Sequence, residues 1–237
     1  CPLCAFQVER GDARGYIMET DDVARILETA RKTPRLTEIH IVSALHPDRP
    51  FSYYESVVRQ VRAALPDADI KAFTPVEIVN FAKTEGRSVR EILTDLQAAG
   101  LSSLPGGGAE ILSDRVREII CPNKATRAEW IDCMRIAHTL GIRTNASMMY
   151  GHIETVEERI DHLIALRELQ DETGGFQAFM LFPFHPENTA LGAERKLRRV
   201  GSWEDMKMLA LSRLVLDNIA HVKAFWVMLT QPIAQLA

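Results

Sequence analysis

Short apolar runs alternate with longer amphipathic stretches along the chain. Between the apolar runs, hydrophobic residues recur at three- and four-residue steps, as they do from Val156 to Leu166, which is the spacing of a helix that buries one face. Strands and helices in this order predict a parallel sheet covered by helices. Six apolar runs have the length of buried strands: residues 39–42, 70–73, 101–104, 144–149, 176–182 and 222–228.

Five predicted helices begin with a capping residue that is followed three positions later by an acid. In this pattern the two side chains satisfy backbone N–H groups that the first helical turn leaves free. The pairs are Thr74 with Glu77, Ser88 with Glu91, Thr126 with Glu129, Thr155 with Glu158, and Ser202 with Asp205.

The order of these elements, without a Gly/Ser-rich linker or an internal repeat, predicts an α/β fold. We expect an incomplete (β/α) TIM-type barrel of parallel strands with outer helices. Residues 1–237 are expected to form a single domain that lacks the first barrel strand at the N-terminus and the last strand at the C-terminus.

Composition narrows the class of protein. A chain of 237 residues with 46% hydrophobic content can bury one large core. The net charge of −4 and the absence of a long Lys/Arg block argue against a nucleic-acid partner. A membrane span is not expected either, because no run reaches about 18 apolar residues. Four cysteines are too few for a disulfide scaffold, so we expect a reducing cytoplasm.

The first chemical feature is the C-x-x-C pair formed by Cys1 and Cys4. Two thiolates at this spacing can hold a metal or a cluster but leave its coordination incomplete, so we expect a further ligand upstream of residue 1. A zinc ribbon completed by a second pair and a thioredoxin-like redox pair are the alternatives. Cys121 and Cys133 have no metal-ligand spacing and are expected to be ordinary buried residues.

Candidate ligand-binding residues follow the predicted strands, at the end where barrels place their chemistry. Glycines there could let a ligand approach the backbone, or could simply make a tight turn. Glu110 could accept hydrogen bonds from a ribose or offset a helix dipole, and Glu154 could bind a polar ligand or be a solvated acid. The candidates are Ser43 and Ala44, then Gly106, Gly107, Gly108 and Glu110, and then Gly151 and Glu154.

Three further candidates come from the last two predicted strands. His185 and Asn188 could bind a carboxylate, although Pro186 and Thr189 in the same loop also suit a turn. Lys223 could face the same mouth or the outer helices, because the side chains of a strand alternate. Two histidines within predicted helices, His138 and His162, are expected to be ordinary surface or core residues.

With these motifs the sequence resembles the radical S-adenosylmethionine (SAM) enzymes over its whole length. In that family a C-x-x-x-C-x-x-C loop binds a 4Fe-4S cluster, and Cys1 and Cys4 match its second and third cysteines. The resemblance implies that Ser43 and Ala44, where the family usually has two glycines, lie at the methionine part of SAM. It also implies that Glu110 lies near the ribose and that the segment 151–154 lies beside the adenine.

Within the superfamily the sequence is similar to the aminofutalosine synthases of menaquinone biosynthesis. That similarity implies addition of the 5′-deoxyadenosyl radical of SAM to 3-[(1-carboxyvinyl)oxy]benzoate, giving 6-amino-6-deoxyfutalosine, with a flavodoxin or ferredoxin-type reductant. His185, Asn188 and Lys223 are then candidates for binding the two substrate carboxylates. The segments 185–189 and 221–226 favour this family over the sister dehypoxanthine futalosine cyclases.

Two alternatives remain open at this point. One is the sister cyclase, and the other, from a different class, is a non-radical zinc-binding barrel. A chain with two of three cluster cysteines is expected to be inactive by itself, because its loop should not hold the cluster stably.

Overall fold

The computed structural model describes residues 1–8 and 11–237, which pack as two compact units. One unit comprises Val8–Pro105, and the other comprises Cys1–Gln7 together with Gly106–Ala237. Both are built from parallel strands and helices, as the alternating pattern predicts.

The unit of residues 8–105 contains three parallel strands in the order β1-β2-β3. Ile39 of β1 lies opposite Ile70 of β2, and Lys71 lies opposite Ser103 of β3. The apolar faces of the helices bury against this sheet, and Ile92 of α4 is fully buried. The elements are α1 (Thr20–Ala30), β1 (Glu38–Ile41), α2 (Phe51–Ala64), β2 (Asp69–Ala72), α3 (Pro75–Glu85), α4 (Val89–Ala99) and β3 (Ser103–Leu104).

The other unit contains the parallel strands β4, β5 and β6, paired in that order. Phe179 of β5 lies opposite Ala146 of β4 and opposite Val222 of β6. Its core includes Trp130 and Leu163, which are fully buried. The elements are α5 (Asp114–Ile120), α6 (Arg127–Thr139), β4 (Arg143–Tyr150), α7 (Val156–Thr173), β5 (Phe176–Pro183), α8 (Ala190–Arg195), α9 (Ser202–Val215), β6 (His221–Lys223), α10 (Trp226–Leu229) and α11 (Gln231–Leu236).

Four of the five predicted helix caps are confirmed, since Thr74, Ser88, Thr126 and Thr155 all form capping boxes. The fifth is wrong. Helix α9 has Gly201 at its N-cap, and Ser202 is already its first residue. The Asp205 carboxylate does not return to the cap but accepts a hydrogen bond from the Tyr150 hydroxyl at 2.5 Å.

The predicted strands agree with the structure except at the last run. The first five runs all contain strands, although β3 is only two residues long. The run 222–228 is wrong beyond Lys223, because pairing with β5 stops there and α10 begins at Trp226. Its apolar residues are not those of a buried strand, since Trp226 and Val227 are each more than half exposed.

The α/β class with parallel strands and helices is confirmed. Such strand–helix alternation is the repeating unit of a (β/α) barrel. The single-domain arrangement stays a prediction. In the described ranges, none of the helices combines the length and the apolar character that crossing a membrane requires.

Candidate functional site

Gly106 lies directly against the backbone of β4. A Cβ atom at this position would be 2.5 Å from the carbonyl oxygen of Asn145 and 2.7 Å from Cα of Ala146. The hydroxyl of Ser147 also donates a hydrogen bond to the Gly106 carbonyl at 2.5 Å. Close packing therefore requires glycine at 106, while Gly108 has a φ of +77°, which favours glycine for conformational reasons.

Arg117 holds this glycine loop from inside. Its side chain is 3% exposed, and its guanidinium donates to the carbonyl oxygens of Ala109 and Ala125 and, at 3.2 Å, to that of Gly108. Arg117 is not among the residues that the sequence motifs predict. The one signal available was its place beside the apolar Val116 on the buried face of α5.

The buried Glu110 forms an ion pair with the partly exposed Lys124. Burial alone would raise the pKa of Glu110, but the charge and hydrogen bond of Lys124 bring that pKa below its ordinary value. The same pairing outweighs burial at Lys124 and raises its pKa. Both groups are therefore charged. The helix-dipole interpretation of Glu110 is wrong, because α5 begins only at Asp114.

The end of β4, where the next loop starts, lies next to the glycine loop, since the Met149 N–H donates to the Glu110 carbonyl at 2.7 Å. Within the loop after β4 the Glu154 carboxylate accepts hydrogen bonds from the backbone N–H groups of Gly151 at 2.5 Å and His152 at 2.9 Å. It also accepts one from Arg159 at 2.8 Å.

These partners determine the charge of Glu154. Burial would raise the pKa of Glu154, but the hydrogen bond and charge of His152, the Gly151 amide and the Arg159 charge lower it to about 2. The solvated-acid interpretation is wrong, because the side chain is completely buried. Gly151 has a φ of +87°, so the loop needs glycine there.

Ser43 and Ala44 lie in the other unit, exposed, just after β1. Oε1 of Glu77 accepts hydrogen bonds from the Ser43 N–H at 2.8 Å and the Ser43 hydroxyl at 2.9 Å. Oε2 of the same acid accepts two from Thr74, each at 2.7 Å. Burial raises the pKa of Glu77, and these hydrogen bonds offset the rise only in part. Sequence analysis identified Glu77 as a capping acid but missed its contact with Ser43.

The three candidates for substrate binding have different surroundings. Nε2 of His185 lies 3.0 Å from the carbonyl oxygen of Met228. Asn188 is exposed and has a φ of +61°, and the following Thr189 caps α8 by accepting from the Gly192 N–H at 3.0 Å. That part of the loop does have turn chemistry. Lys223 is exposed on β6.

Cys1 and Cys4 lie on a turn in which the Cys4 N–H donates to the Cys1 carbonyl at 3.0 Å. The turn is anchored by Leu191, whose N–H donates to the Pro2 carbonyl at 3.0 Å. Both thiols are free, Cys1 half-buried and Cys4 exposed. Two accessible thiols are the donor type that iron–sulfur clusters take. The described residues contain no group of three His, Cys, Asp or Glu that could hold a metal by itself.

The residues that were expected to be ordinary are so. Cys121 and Cys133 are buried, and burial raises the pKa of both thiols. His162 is fully buried and accepts at Nδ1 from the Leu112 N–H, at 3.0 Å. His138 has a threonine hydroxyl within hydrogen-bonding distance of each ring nitrogen.

Sequence comparison finds relatives along the whole chain. A model described as the radical SAM superfamily matches residues 1–166, and one described as the CofH/MqnC C-terminal region matches residues 173–237. Aminodeoxyfutalosine synthases of Thermus thermophilus and Streptomyces coelicolor are 44% and 41% identical over 100% of this chain, covering 64% and 63% of the relatives. The 5-amino-6-(D-ribitylamino)uracil–L-tyrosine 4-hydroxyphenyl transferase 1 of Methanosarcina barkeri is 39% identical over 100% of this chain and 63% of its own length. The chain thus spans just under two thirds of these relatives.

Two solved structures share the fold. Methylornithine synthase has a TM-score of 0.66 at 15% identity, covering 92% of this chain and 57% of its own. The Elp3 protein of Methanocaldococcus infernus has a TM-score of 0.62 at 12% identity, covering 90% and 56%. At such identities these structures support the α/β fold alone. Because the superfamily model covers well over half of the residues, and places the Cys1–Cys4 pair inside its match, the chain belongs to the radical SAM superfamily.

Proposed function

We propose that this chain carries the radical SAM part of an aminofutalosine synthase. The reaction would join the adenosyl group of SAM to 3-[(1-carboxyvinyl)oxy]benzoate and give 6-amino-6-deoxyfutalosine for menaquinone biosynthesis. The observation that carries the proposal is the 44% and 41% identity to two aminodeoxyfutalosine synthases over the whole chain. A flavodoxin or ferredoxin-type reductant and a cytoplasmic location are parts of the same proposal.

Enzymes of this superfamily use a 4Fe-4S cluster and SAM. Cys1 and Cys4 would supply two of the cluster's thiolates, and their free thiols on one turn fit that task. When bound, the cluster supplies the electron that cleaves SAM and yields the 5′-deoxyadenosyl radical. Superfamily membership disfavours the non-radical zinc-binding barrel.

Glu110 is the group best prepared to bind the ribose. Lys124 keeps Glu110 ionised and donates to its Oε1, so Oε2 can accept hydrogen bonds from the ribose hydroxyls. Glu154, in contrast, already accepts from two backbone amides and from Arg159. We therefore assign Glu154 to shaping the loop that would lie beside the adenine.

The Ser43–Ala44 segment would hold the methionine part of SAM through its backbone. Because the Ser43 N–H is already donated to Glu77, the contact falls to the neighbouring carbonyl groups and to the Ala44 amide. A carbonyl oxygen accepts hydrogen bonds, so it suits the ammonium group of the methionine part.

The substrate side requires orientation and exclusion of water, because a primary carbon radical abstracts hydrogen from many donors. The proposed substrate carries two carboxylates, which cationic or amide groups can bind. His185, Asn188 and Lys223 are the candidates that the sequence analysis names for this role. Of the three, His185 has the most fixed position, through its contact with Met228.

A second candidate function is favoured by the other group of relatives. Six proteins named as 5-amino-6-(D-ribitylamino)uracil–L-tyrosine 4-hydroxyphenyl transferases are 37% to 40% identical to this chain over its whole length. Their names describe transfer of a 4-hydroxyphenyl group from L-tyrosine to 5-amino-6-(D-ribitylamino)uracil. The lower identity makes this the second choice.

Product analysis separates the two functions. Full-length protein is reconstituted anaerobically and incubated with SAM, a reductant and each candidate acceptor, and products are identified by mass spectrometry. We expect 6-amino-6-deoxyfutalosine from the carboxyvinyloxybenzoate and no coupling of tyrosine. Coupling of tyrosine to the ribitylaminouracil would establish the second function, and SAM cleavage without either product would reject both. A Cys4→Ala variant is the control for cluster-independent turnover.

A further inference from the structure

Arg199 has a buried donor without an acceptor. It lies between α8 and α9, and its Nη2 donates to the carbonyl oxygen of Met228 at 2.7 Å. Its Nε is buried but has no hydrogen-bond partner within the described part of the chain. An unsatisfied guanidinium N–H is costly inside a protein, and such groups call for an explanation. A bound anion would provide one.

His185 converges on the same point from the loop after β5. The Met228 carbonyl that receives Arg199 also lies 3.0 Å from Nε2 of His185. One carbonyl oxygen therefore positions both a guanidinium and an imidazole. The guanidinium keeps its Nε–H unpaired, and the imidazole has a second N–H to donate when it is protonated. Two such side chains form a suitable pair for a carboxylate.

The backbone next to this carbonyl is strained. Thr230 follows α10 with a φ of +83° and a ψ of 153°, a conformation that a β-branched residue rarely adopts. Strained residues cluster at ligand-binding sites, where surrounding structure holds them. The strain, the unpaired Nε and the two converging side chains are separate observations in one region.

The segment that carries Arg199 also lies against the end of β4. A Cβ atom at Gly151, directly after β4, would be 2.7 Å from Cγ1 of Val200, the residue next to Arg199. The Arg199 charge acts on the phenol of Tyr150, opposing the burial and the Asp205 contact that together raise the pKa of Tyr150. Tyr150 stays protonated, and its hydroxyl donates a hydrogen bond to the Asp205 carboxylate. Arg199 thus lies near the carboxyl ends of both β4 and β5, where a barrel enzyme binds its substrate.

We propose that Arg199, positioned together with His185, binds a carboxylate of the acceptor substrate. The inference rests on the proposed function for the identity of the acceptor, since the carboxyvinyloxybenzoate carries two carboxylates. The chemistry is shared by the second candidate, because L-tyrosine also has a carboxylate. Sequence alone hides Arg199 among the basic residues 195–199, where neither composition nor spacing sets it apart.

The test compares Arg199→Met with Arg198→Met in the full-length, cluster-containing enzyme. Arg198 is the exposed neighbour, so its loss removes the same charge from nearly the same place. Affinities are measured by titration calorimetry without reductant, so that no turnover occurs. The ligands are 3-[(1-carboxyvinyl)oxy]benzoate and its two monomethyl esters.

We expect Arg199→Met to weaken binding of the diacid roughly tenfold to hundredfold, and Arg198→Met to change it by less than about twofold. One of the two monoesters lacks the carboxylate that Arg199 binds. Its affinity for the wild type should equal that of the diacid for Arg199→Met, and the substitution should not lower the affinity for this monoester further. Arg199→Lys keeps the positive charge but loses the paired N–H donors of the guanidinium, and its affinity for the diacid should fall roughly fivefold.

Unchanged affinity in a folded Arg199→Met, or an equal loss in Arg198→Met, overturns the inference. If circular dichroism shows that Arg199→Met does not fold, Arg199→Lys is used instead, and an unchanged affinity of that variant for the diacid overturns the inference. Failure of the proposed function has a different signature, since the wild type would then neither bind the diacid nor make aminofutalosine. The comparison is then repeated with L-tyrosine and its methyl ester. If Arg199→Met does not change the affinity for L-tyrosine, or if the wild type binds neither the diacid nor L-tyrosine, the inference is overturned as well.

Discussion

Glu77 accepts two hydrogen bonds from Ser43, a residue 34 positions earlier in the chain. The same carboxylate caps α3 through Thr74, so one buried acid connects a helix start with the segment that follows β1. All four hydrogen bonds need an acceptor, and a carboxylate provides lone pairs on both oxygens. Glu77 therefore fixes the Ser43 segment from its inner side. Ser43 and Ala44 stay exposed on the other side.

Replacing Glu77 with Gln should destabilise the protein and loosen this segment. The amide NH₂ cannot accept, so one part-buried backbone N–H, of Ser43 or Thr74, loses its acceptor, while the neighbouring hydroxyl can turn and accept. We expect a loss of about 1–3 kcal/mol in the free energy of unfolding. Urea denaturation measures the loss, and hydrogen exchange should show faster exchange at the Ser43 amide. The matched control is Glu91→Gln at an exposed capping acid, which should cost clearly less than Glu77→Gln. Equal losses in both variants would contradict the role of Glu77.

The capping contacts were predictable from sequence because they join residues three positions apart. The Thr74 cap follows from local chemistry alone, whereas the Ser43 contact depends on how β1 and α3 pack together. The same distinction explains Arg117, whose acceptors are loop carbonyls that no sequence pattern marks. The roles of Glu77 and Arg117 depend on partners that are distant in sequence or unmarked by any motif, so the sequence alone does not show these contacts.

Hydrophobicity misled the prediction at the last strand for a related reason. The run 222–228 is apolar enough for a buried strand, yet burial depends on what surrounds it, and Trp226 and Val227 stay largely exposed. The α/β class needed only the order of the elements and was predictable. The roles proposed for the strand-end residues needed the resemblance to a family as well.

Glu154 should make stability depend on acid pH. Its folded pKa of about 2 lies below the ordinary 4.5, so its contribution is complete above pH 4.5 and is lost as pH falls toward 2. This fall in pKa corresponds to about 3 kcal/mol. Urea unfolding of wild type and Glu154→Gln should therefore differ most near pH 7, and the difference should shrink by about that amount near pH 2. Glu168→Gln, at an exposed position, is the control for removing one acid, and an unchanged difference between wild type and Glu154→Gln from pH 7 to pH 2 would refute the assignment.

The pair Glu110–Lys124 should be strongly coupled. Lys124→Met leaves the buried Glu110 carboxylate without its counterpart and should cost about 3–5 kcal/mol. Glu110→Gln leaves the partly exposed Lys124 unpaired and should cost less. The double variant should cost less than the sum of the two. Denaturation of the four proteins gives the coupling energy. The exposed pair Arg25–Asp22 provides the control cycle and should couple much more weakly, because solvent screens its charges. Additive losses at Glu110 and Lys124 would show that the ion pair does not hold in solution.

Gly106 should tolerate no side chain. An added methyl group would lie 2.5 Å from a backbone oxygen of β4, which cannot move without disturbing the strand. We expect Gly106→Ala to lower stability by about 1–3 kcal/mol, measured by urea denaturation. Gly201→Ala is the control, since nothing lies within 4 Å of its Cβ position and its φ is −82°. Its cost as a cap residue should stay near 1 kcal/mol or below. A harmless Gly106→Ala would mean that the loop does not pack on β4 as described.

The four cysteines should divide into two classes by their effect on iron content. Cys1 and Cys4 are accessible and lie on one turn, so removing either should take a thiolate from the cluster. Cys121 and Cys133 are buried, and burial raises the pKa of both thiols, which keeps them protonated and unsuited to binding metal. In the full-length protein, anaerobic reconstitution of Cys121→Ala and Cys133→Ala should still give about four iron atoms per chain. Cys1→Ala and Cys4→Ala should retain a small fraction of that iron, together with a weakened visible absorbance.

Because all four substitutions remove one sulfur, a general loss of stability would lower iron in every variant. An unchanged iron content in Cys4→Ala, or retention of zinc in place of iron by the wild type, would show that this turn does not carry an iron–sulfur cluster.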